Sequence, residues 1–243
     1  MKYRVDCHCH SISSGHGYST VLELAEFARK KGIRMIAVTD HGPALPGAPH
    51  PFHFSNLKVV PQKIYGVEIL TGIEANIIDY NGAIDLDEKR LSTLDIVLAG
   101  YHEPCLEPAT GEEHTRAVLR LMETGTIDVL VHPGNPRYPI EIDKVLKKAR
   151  ETNTLVEINN SSLWISREGS LKNCLHIARQ CKKYGVRVIA GSDAHICFDV
   201  GNFHQVDAIF KKIEMPPELI MNRSVEAMKD FLKSKGKRRF VED

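Results

Sequence analysis

Between Met35 and Thr39 the chain is apolar without a break, and it turns at once to Asp40-His41-Gly42. An unbroken apolar run of strand length is what a strand buried on both faces requires. Such strands belong to parallel sheets covered by helices. Six more candidate strands lie at roughly Lys2 to His10, Ile69 to Glu74, Ile96 to Tyr101, Val129 to Val131, Leu155 to Ile158 and Arg187 to Ala190. Helical patterns lie between them, from Ser19 or Thr20 to Lys31, Glu112 to Thr124, Ile142 to Glu151 and Ser170 to Tyr184. Two more follow the last strand, about Val206 to Ile213 and Ser224 to Ser234. Thr20 with Glu23 makes a capping box, and Gly32 stops that helix. Strand and helix alternate with no linker or break in composition. The pattern predicts an α/β fold, one domain over residues 1–243, with a parallel sheet covered by helices. A closed barrel and an open doubly wound sheet both fit this order.

The strand ends narrow the choice. The first run closes on His8 and His10 with His16 in its loop, the second on His41, the third on Glu74, the fourth on His102 and the fifth on His132. The sixth offers Asn159, Asn160 and Ser161, and the seventh Asp193 and His195. A barrel brings all of these to one mouth, whereas an open sheet spreads the outer strands apart, so the pattern argues for closure. Strict alternation along the first strand sets Asp6, His8 and His10 on one face, and Val5, Cys7 and Cys9 on the face toward the helices. His50, His53, His114, His176 and His204 lack the strand-end setting and read as ordinary loop or core residues. Nine nitrogen and oxygen ligands exceed what one catalytic zinc takes. Two or three metal ions are expected, in catalytic sites, since cysteine is absent from these positions.

Composition excludes several classes. A net charge of +1 gives no push toward nucleic acid or anionic membrane. None of the six cysteines forms a C-x-x-C pair. No secretory signal fits and no run is long enough to span a membrane, so a reducing cytoplasm is expected. The segment from Pro43 to Gly66 reads as a lid. The basic tail from Lys233 to Arg239 reads as a solvated, frayed end.

Asp6-Cys7-His8-Cys9-His10, Thr39-Asp40-His41-Gly42, Gly72-Ile73-Glu74, Tyr101-His102, Val131-His132-Pro133-Gly134 and Gly191-Ser192-Asp193-Ala194-His195 together resemble the PHP (polymerase and histidinol phosphatase) superfamily. The match runs in order over nearly the whole chain. It looks closest to the stand-alone phosphatases of the YcdX type. The resemblance implies a distorted seven-stranded β/α barrel of TIM-like form with a trinuclear centre, usually zinc, with manganese or iron in other members. Carried over, His8, His10, Glu74 and Asp193 hold the first ion. Glu74 bridges to a second, held also by His102 and His132. His16, His41 and His195 hold the third. The chemistry implied is hydrolysis of a phosphate monoester by metal-bound hydroxide.

Around these ligands, Asp6 and Asp40 are candidates for orienting the histidines. Arg137 and Asn159 are candidates for touching substrate. The partner expected is a small phosphorylated molecule, with no membrane and no long nucleic-acid track; homo-oligomerisation stays open. Competing readings are an amidohydrolase or TatD-like nuclease, a nuclease or phosphodiesterase within the superfamily, and a non-catalytic metal-binding regulatory module.

Overall fold

The apolar runs form strands β1 (Val5–Cys9), β2 (Met35–Val38), β4 (Val67–Asn76), β5 (Ile96–Gly100), β6 (Val129–Leu130), β7 (Leu155–Asn159) and β8 (Val188–Gly191), all parallel and in the spatial order β1-β2-β4-β5-β6-β7-β8. The short β3 (Lys63–Ile64) adds antiparallel to the start of β4. This computed structural model describes residues 1–241. The long helices α1 (Val21–Lys30), α4 (Gly111–Glu123), α5 (Ile142–Glu151), α6 (Ser170–Tyr184) and α7 (His204–Lys212) alternate with the strands. The short α2 (Phe52–Asn56) and α3 (Glu88–Leu91) sit in loops, and α8 (Val225–Ser234) and α9 (Arg238–Val241) close the described chain. The Thr20–Glu23 capping box forms at α1, and a second, Thr110–Glu113, starts α4.

The result is a nearly closed TIM-like barrel of seven parallel strands. Its seam lies between β1 and β8. At the upper end the His10 amide donates to Ala194 O at 2.9 Å. Lower down, a side chain replaces the ladder. Asn222 donates to Val5 O at 2.9 Å and Ala190 O at 2.8 Å, and accepts from the Ala190 amide at 2.6 Å.

Two apolar layers result. The larger lies between strands and helices and includes Ile36, Val38, Ile73, Val97, Val156 and Phe210. The smaller fills the barrel with Val5, Met35, Leu70, Ile96, Leu98 and Val129. Met228, Phe231 and Leu232 of α8 join it and plug the end where the strands begin. Burying such side chains stabilises by about 1.5–3 kcal/mol each.

Three expectations are corrected. The alternation of the first strand breaks: β1 pairs with β2 as Asp6↔Ile36 and then Cys9↔Val38, with a register shift between them. Val5 and Cys7 lie in the inner cluster, against expectation, and the bulge puts Cys9 alone on the opposite face, in the layer toward the helices. Asp6 consequently does not share the face of the histidines; its carboxylate takes the Gly201 amide at 2.8 Å. The lid segment is pinned rather than free, because Phe54, Leu57 and Ile64 are buried in the outer layer while Leu45 and Pro46 line the mouth. The basic tail is docked, with Lys237 on Asp128 and Arg239 on Asp95.

Candidate metal centre

Glu74 is fully buried near the upper end of β4, and five imidazoles face it. His8, His102 and His132 bring Nε2 to 3.3, 3.3 and 2.7 Å from its Oε1. His41 Nδ1 lies 2.8 Å and His10 Nε2 3.4 Å from Oε2. Asp193, just past β8, sets Oδ1 at 3.6 Å from His8 Nε2, 3.3 Å from His10 Nε2 and 3.4 Å from His195 Nδ1. His16 stacks on His41 and His195 at ring separations of 5.0 and 4.7 Å. The barrel thus gathers all nine candidates at one end. Three sets bring their ligand atoms within 4.8 Å of one another: His8, His10 and Asp193; His10, His41 and His195; and His41, Glu74 and His102.

A divalent ion fits this donor set. Among the described residues, ten buried side-chain nitrogen or oxygen atoms make no hydrogen bond of acceptable geometry. Seven of them belong to His8, His10, His41, Glu74, His102 and Asp193. Buried polar atoms are rarely left so, and an ion would take their lone pairs. His114 shows the contrast. It is equally buried, but its ring accepts from the Ala109 amide at 2.9 Å and pairs with Pro139 O at 3.1 Å.

Electrostatics prepares the ligands. Burial lowers His10 and His132 to about 3, helped by His41 at the first and Arg167 at the second. Burial likewise lowers His16 and His102. These rings are therefore held neutral, the form that binds metal. At His8 burial acts the same way, but Glu157, Glu74 and Asp193 outweigh it and raise the ring well above its usual range. Burial alone would raise Glu74 and Asp193. The facing imidazoles, and Arg167 at Asp193, reverse that and hold both carboxyls well below theirs.

Neighbouring groups fix the ring orientations. Glu157 Oε1 lies 2.6 Å from His8 Nδ1, and its Oε2 accepts from the His132 amide at 2.8 Å. A Cβ at Gly191 would fall 1.7 Å from Glu157 Oε1, so only glycine leaves room for this carboxylate. Asp40 acts at one remove. Ser14 donates to Asp40 at 2.7 Å and sits 3.1 Å from His10 Nδ1, so the relay turns His10 Nε2 toward the carboxylates. His53 adds its Nε2 to Asp40 at 3.0 Å. His132 and Asp193 hold positive φ, 35° and 55°, rare for residues with side chains and a form of strain found at functional sites.

The substrate candidates fall differently. Arg137 pairs with Glu103 at 3.2 Å on the surface and does not line the mouth. Asn159 is fully buried and uses both ends of its amide, on Glu157, Asp193 and Ser162. The residues that do line the mouth include Arg167, which donates to Asp193 Oδ2 at 3.0 Å, and Asn160. Neither Arg167 nor Glu157 follows from strand-end spacing. Glu157 did leave a signal, as the one charge inside the apolar run Leu155 to Ile158.

The family model for the PHP domain matches residues 6–161, more than half of the chain. The chain belongs to the PHP family. A second model, PHP-associated, matches residues 175–211. A protein of Acetivibrio thermocellus named a probable phosphatase is 50% identical over 238 residues, 98% of each chain. Another of that name, from Caldanaerobacter subterraneus subsp. tengcongensis, is 51% identical over 241 residues, covering 98% of this chain and 95% of its own. The crystal structure of histidinol phosphate phosphatase from Lactococcus lactis, complexed with zinc, L-histidinol and phosphate, superposes with a TM-score of 0.60. At 16% identity, over 88% of this chain and 95% of that one, it shares the PHP fold.

Proposed function

We propose that this PHP protein is a metal-dependent phosphatase that hydrolyses a small phosphate monoester at a centre of three divalent ions, zinc being the expected one. The observation that carries the reading is the convergence of unpartnered ligand atoms around Glu74 at the mouth of the barrel. His8, His10, Glu74 and Asp193 would hold one ion, Glu74 with His102 and His132 a second, and His16, His41 and His195 a third. Glu74 suits a bridging role because its two oxygens face different histidines. Bound there, such ions supply Lewis acidity toward phosphoryl oxygens and activation of water near neutral pH. The relatives named probable phosphatases cover the same length.

The chain's own groups do the rest. Glu157 and the Ser14–Asp40 relay hold His8 and His10 in the ligating tautomer. Asn159 braces Glu157 and Asp193. Arg167 brings a planar guanidinium into the mouth, suited to bidentate contact with phosphate. All six cysteines are free, as in a reducing cytoplasm, the location we propose. No described helix is long and apolar enough to cross a membrane.

The test is metal analysis and p-nitrophenyl phosphate turnover of the wild type and Glu74→Gln. Bound metal and turnover are expected together in the wild type and lost together in the variant. Full turnover after metal loss, or tight metal binding with no phosphoester hydrolysed, overturns the proposal.

A further inference from the structure

The mouth above the cluster encloses about 690 Å³, in the range of small-molecule sites at about 300–1,000 Å³. A phosphate alone leaves most of that volume unused, so the shape has to be read for the leaving group. One part of the wall is out of keeping with a solvated surface. Trp164 and Ile165 line the cavity, yet they are 72% and 81% exposed. Their loop is not slack. The amides of Trp164, Ile165 and Ser166 all donate to Ser161 O, at 3.1, 2.9 and 2.9 Å. Arg167, at φ 48°, then reaches back to Ser162, Ser166 and the candidate ligand Asp193. Two bare apolar side chains thus stand on a tied backbone beside the reacting centre. Leu45 and Pro46 add apolar surface to the same cavity.

Charge narrows the ligand further. Apart from histidines, Arg167 is the one cationic side chain among the described lining residues, and its Nη1 is engaged by Asp193. Asp199 adds negative charge to the wall, while Glu103 is paired with Arg137. A polyanionic strand needs a basic track along its backbone, and the described lining of this mouth offers none.

We propose that Trp164 and Ile165 form the specificity wall for the leaving group. The site then prefers monoesters whose alcohol carries a planar aromatic or heteroaromatic group and no further negative charge. The inference rests on the phosphatase reading for its kinetics, but its binding arm stands apart from it.

The kinetic arm compares 1-naphthyl phosphate with 2-glycerophosphate on the zinc-loaded full-length protein, as wild type, Trp164→Ala and Trp164→Phe. The ratio of kcat/KM for the aryl over the glyceryl ester should fall roughly 10-fold in Trp164→Ala, the scale of lost aromatic stacking. The change should lie in KM, and Trp164→Phe should restore most of it. A ratio unchanged by Trp164→Ala overturns the wall.

The binding arm uses the fact that the chain has a single tryptophan. Phenylphosphonate should perturb its fluorescence at concentrations where methylphosphonate does not; equal responses, or none, overturn the wall. Selective perturbation with neither ester turned over supports the wall and overturns the phosphatase reading instead.

Discussion

The two ends of the barrel both bury carboxylates and treat them in opposite ways. Where the strands begin, each is answered by a cation from the end of the chain. Asp128 takes the Val97 amide at 2.7 Å and Lys237 at 2.6 Å; Asp95 takes the Thr71 amide and Arg239, both at 2.9 Å; the half-buried Glu68 takes Lys229 at 2.7 Å. Where the strands finish, Arg167 meets one oxygen of Asp193, but Glu74 and Asp193 otherwise face imidazoles of which His8 Nε2, His10 Nε2, His41 Nδ1 and both nitrogens of His102 find no hydrogen bond. Buried charge therefore does not by itself mark a functional site. What marks it is that the chain stops short of completing the partners. A scaffold answers each carboxylate with a cation, even where one oxygen, Asp128 Oδ1, stays unbonded, whereas a metal centre gathers many unbonded atoms at one point for an ion.

Substitutions at each end should break stability and activity apart. Glu74→Gln has the largest effect expected: turnover of p-nitrophenyl phosphate falls on the order of 10³-fold or more, several kcal/mol of lost charge stabilisation, with metal content falling alongside. Asp128→Ala should do the reverse. It leaves Lys237, only 13% exposed, without its partner, at about 3–5 kcal/mol of folding stability. Denaturant melts would show the loss, while turnover per folded, metal-loaded molecule stays at the wild-type level. Loss of metal in the folded Asp128 variant would erase the distinction between the ends.

Smaller effects sharpen the same contrast. Glu157→Gln keeps the shape but weakens the hold on His8; metal affinity should fall about 10–100-fold, read by competition with a chromophoric chelator. Arg137→Ala is expected to do least. Its pair with Glu103 is exposed on both sides, worth about 0–1 kcal/mol, so kcat/KM should shift less than about twofold. A large loss there would return Arg137 to the substrate site.

What could be read from the sequence follows from how local each feature is. The strands were legible because burial on both faces forces continuous apolar runs, and the barrel because polar residues cluster where those runs end. His8, His41, Glu74 and Asp193 were found this way, and the structure places them together. The bulge at Cys7 was not legible, since strict alternation assumes an unbroken register with β2. Glu157 sits inside a strand, not at its end, and reaches His8 only because the fold brings β7 beside β8 and β1. The tail was misread because a basic run looks solvated until Asp95 and Asp128 are seen waiting below the strands. The short α2, α3 and β3 lack the length for any period to show.

Asn222 seals the seam, and its bond to Val5 joins residues 217 positions apart. A ribosome therefore delivers β1, with His8 and His10, long before the residue that will lock it beside β8. During that interval the first strand has β2 on one side and an open edge on the other, the kind of edge that invites mispairing. The metal centre inherits this timetable. Its earliest ligands are made first but cannot be set in final geometry until Asp193 arrives and the seam closes behind it. Assembly of the site is thus a late event in the life of each molecule, and any ion must enter a nearly finished barrel.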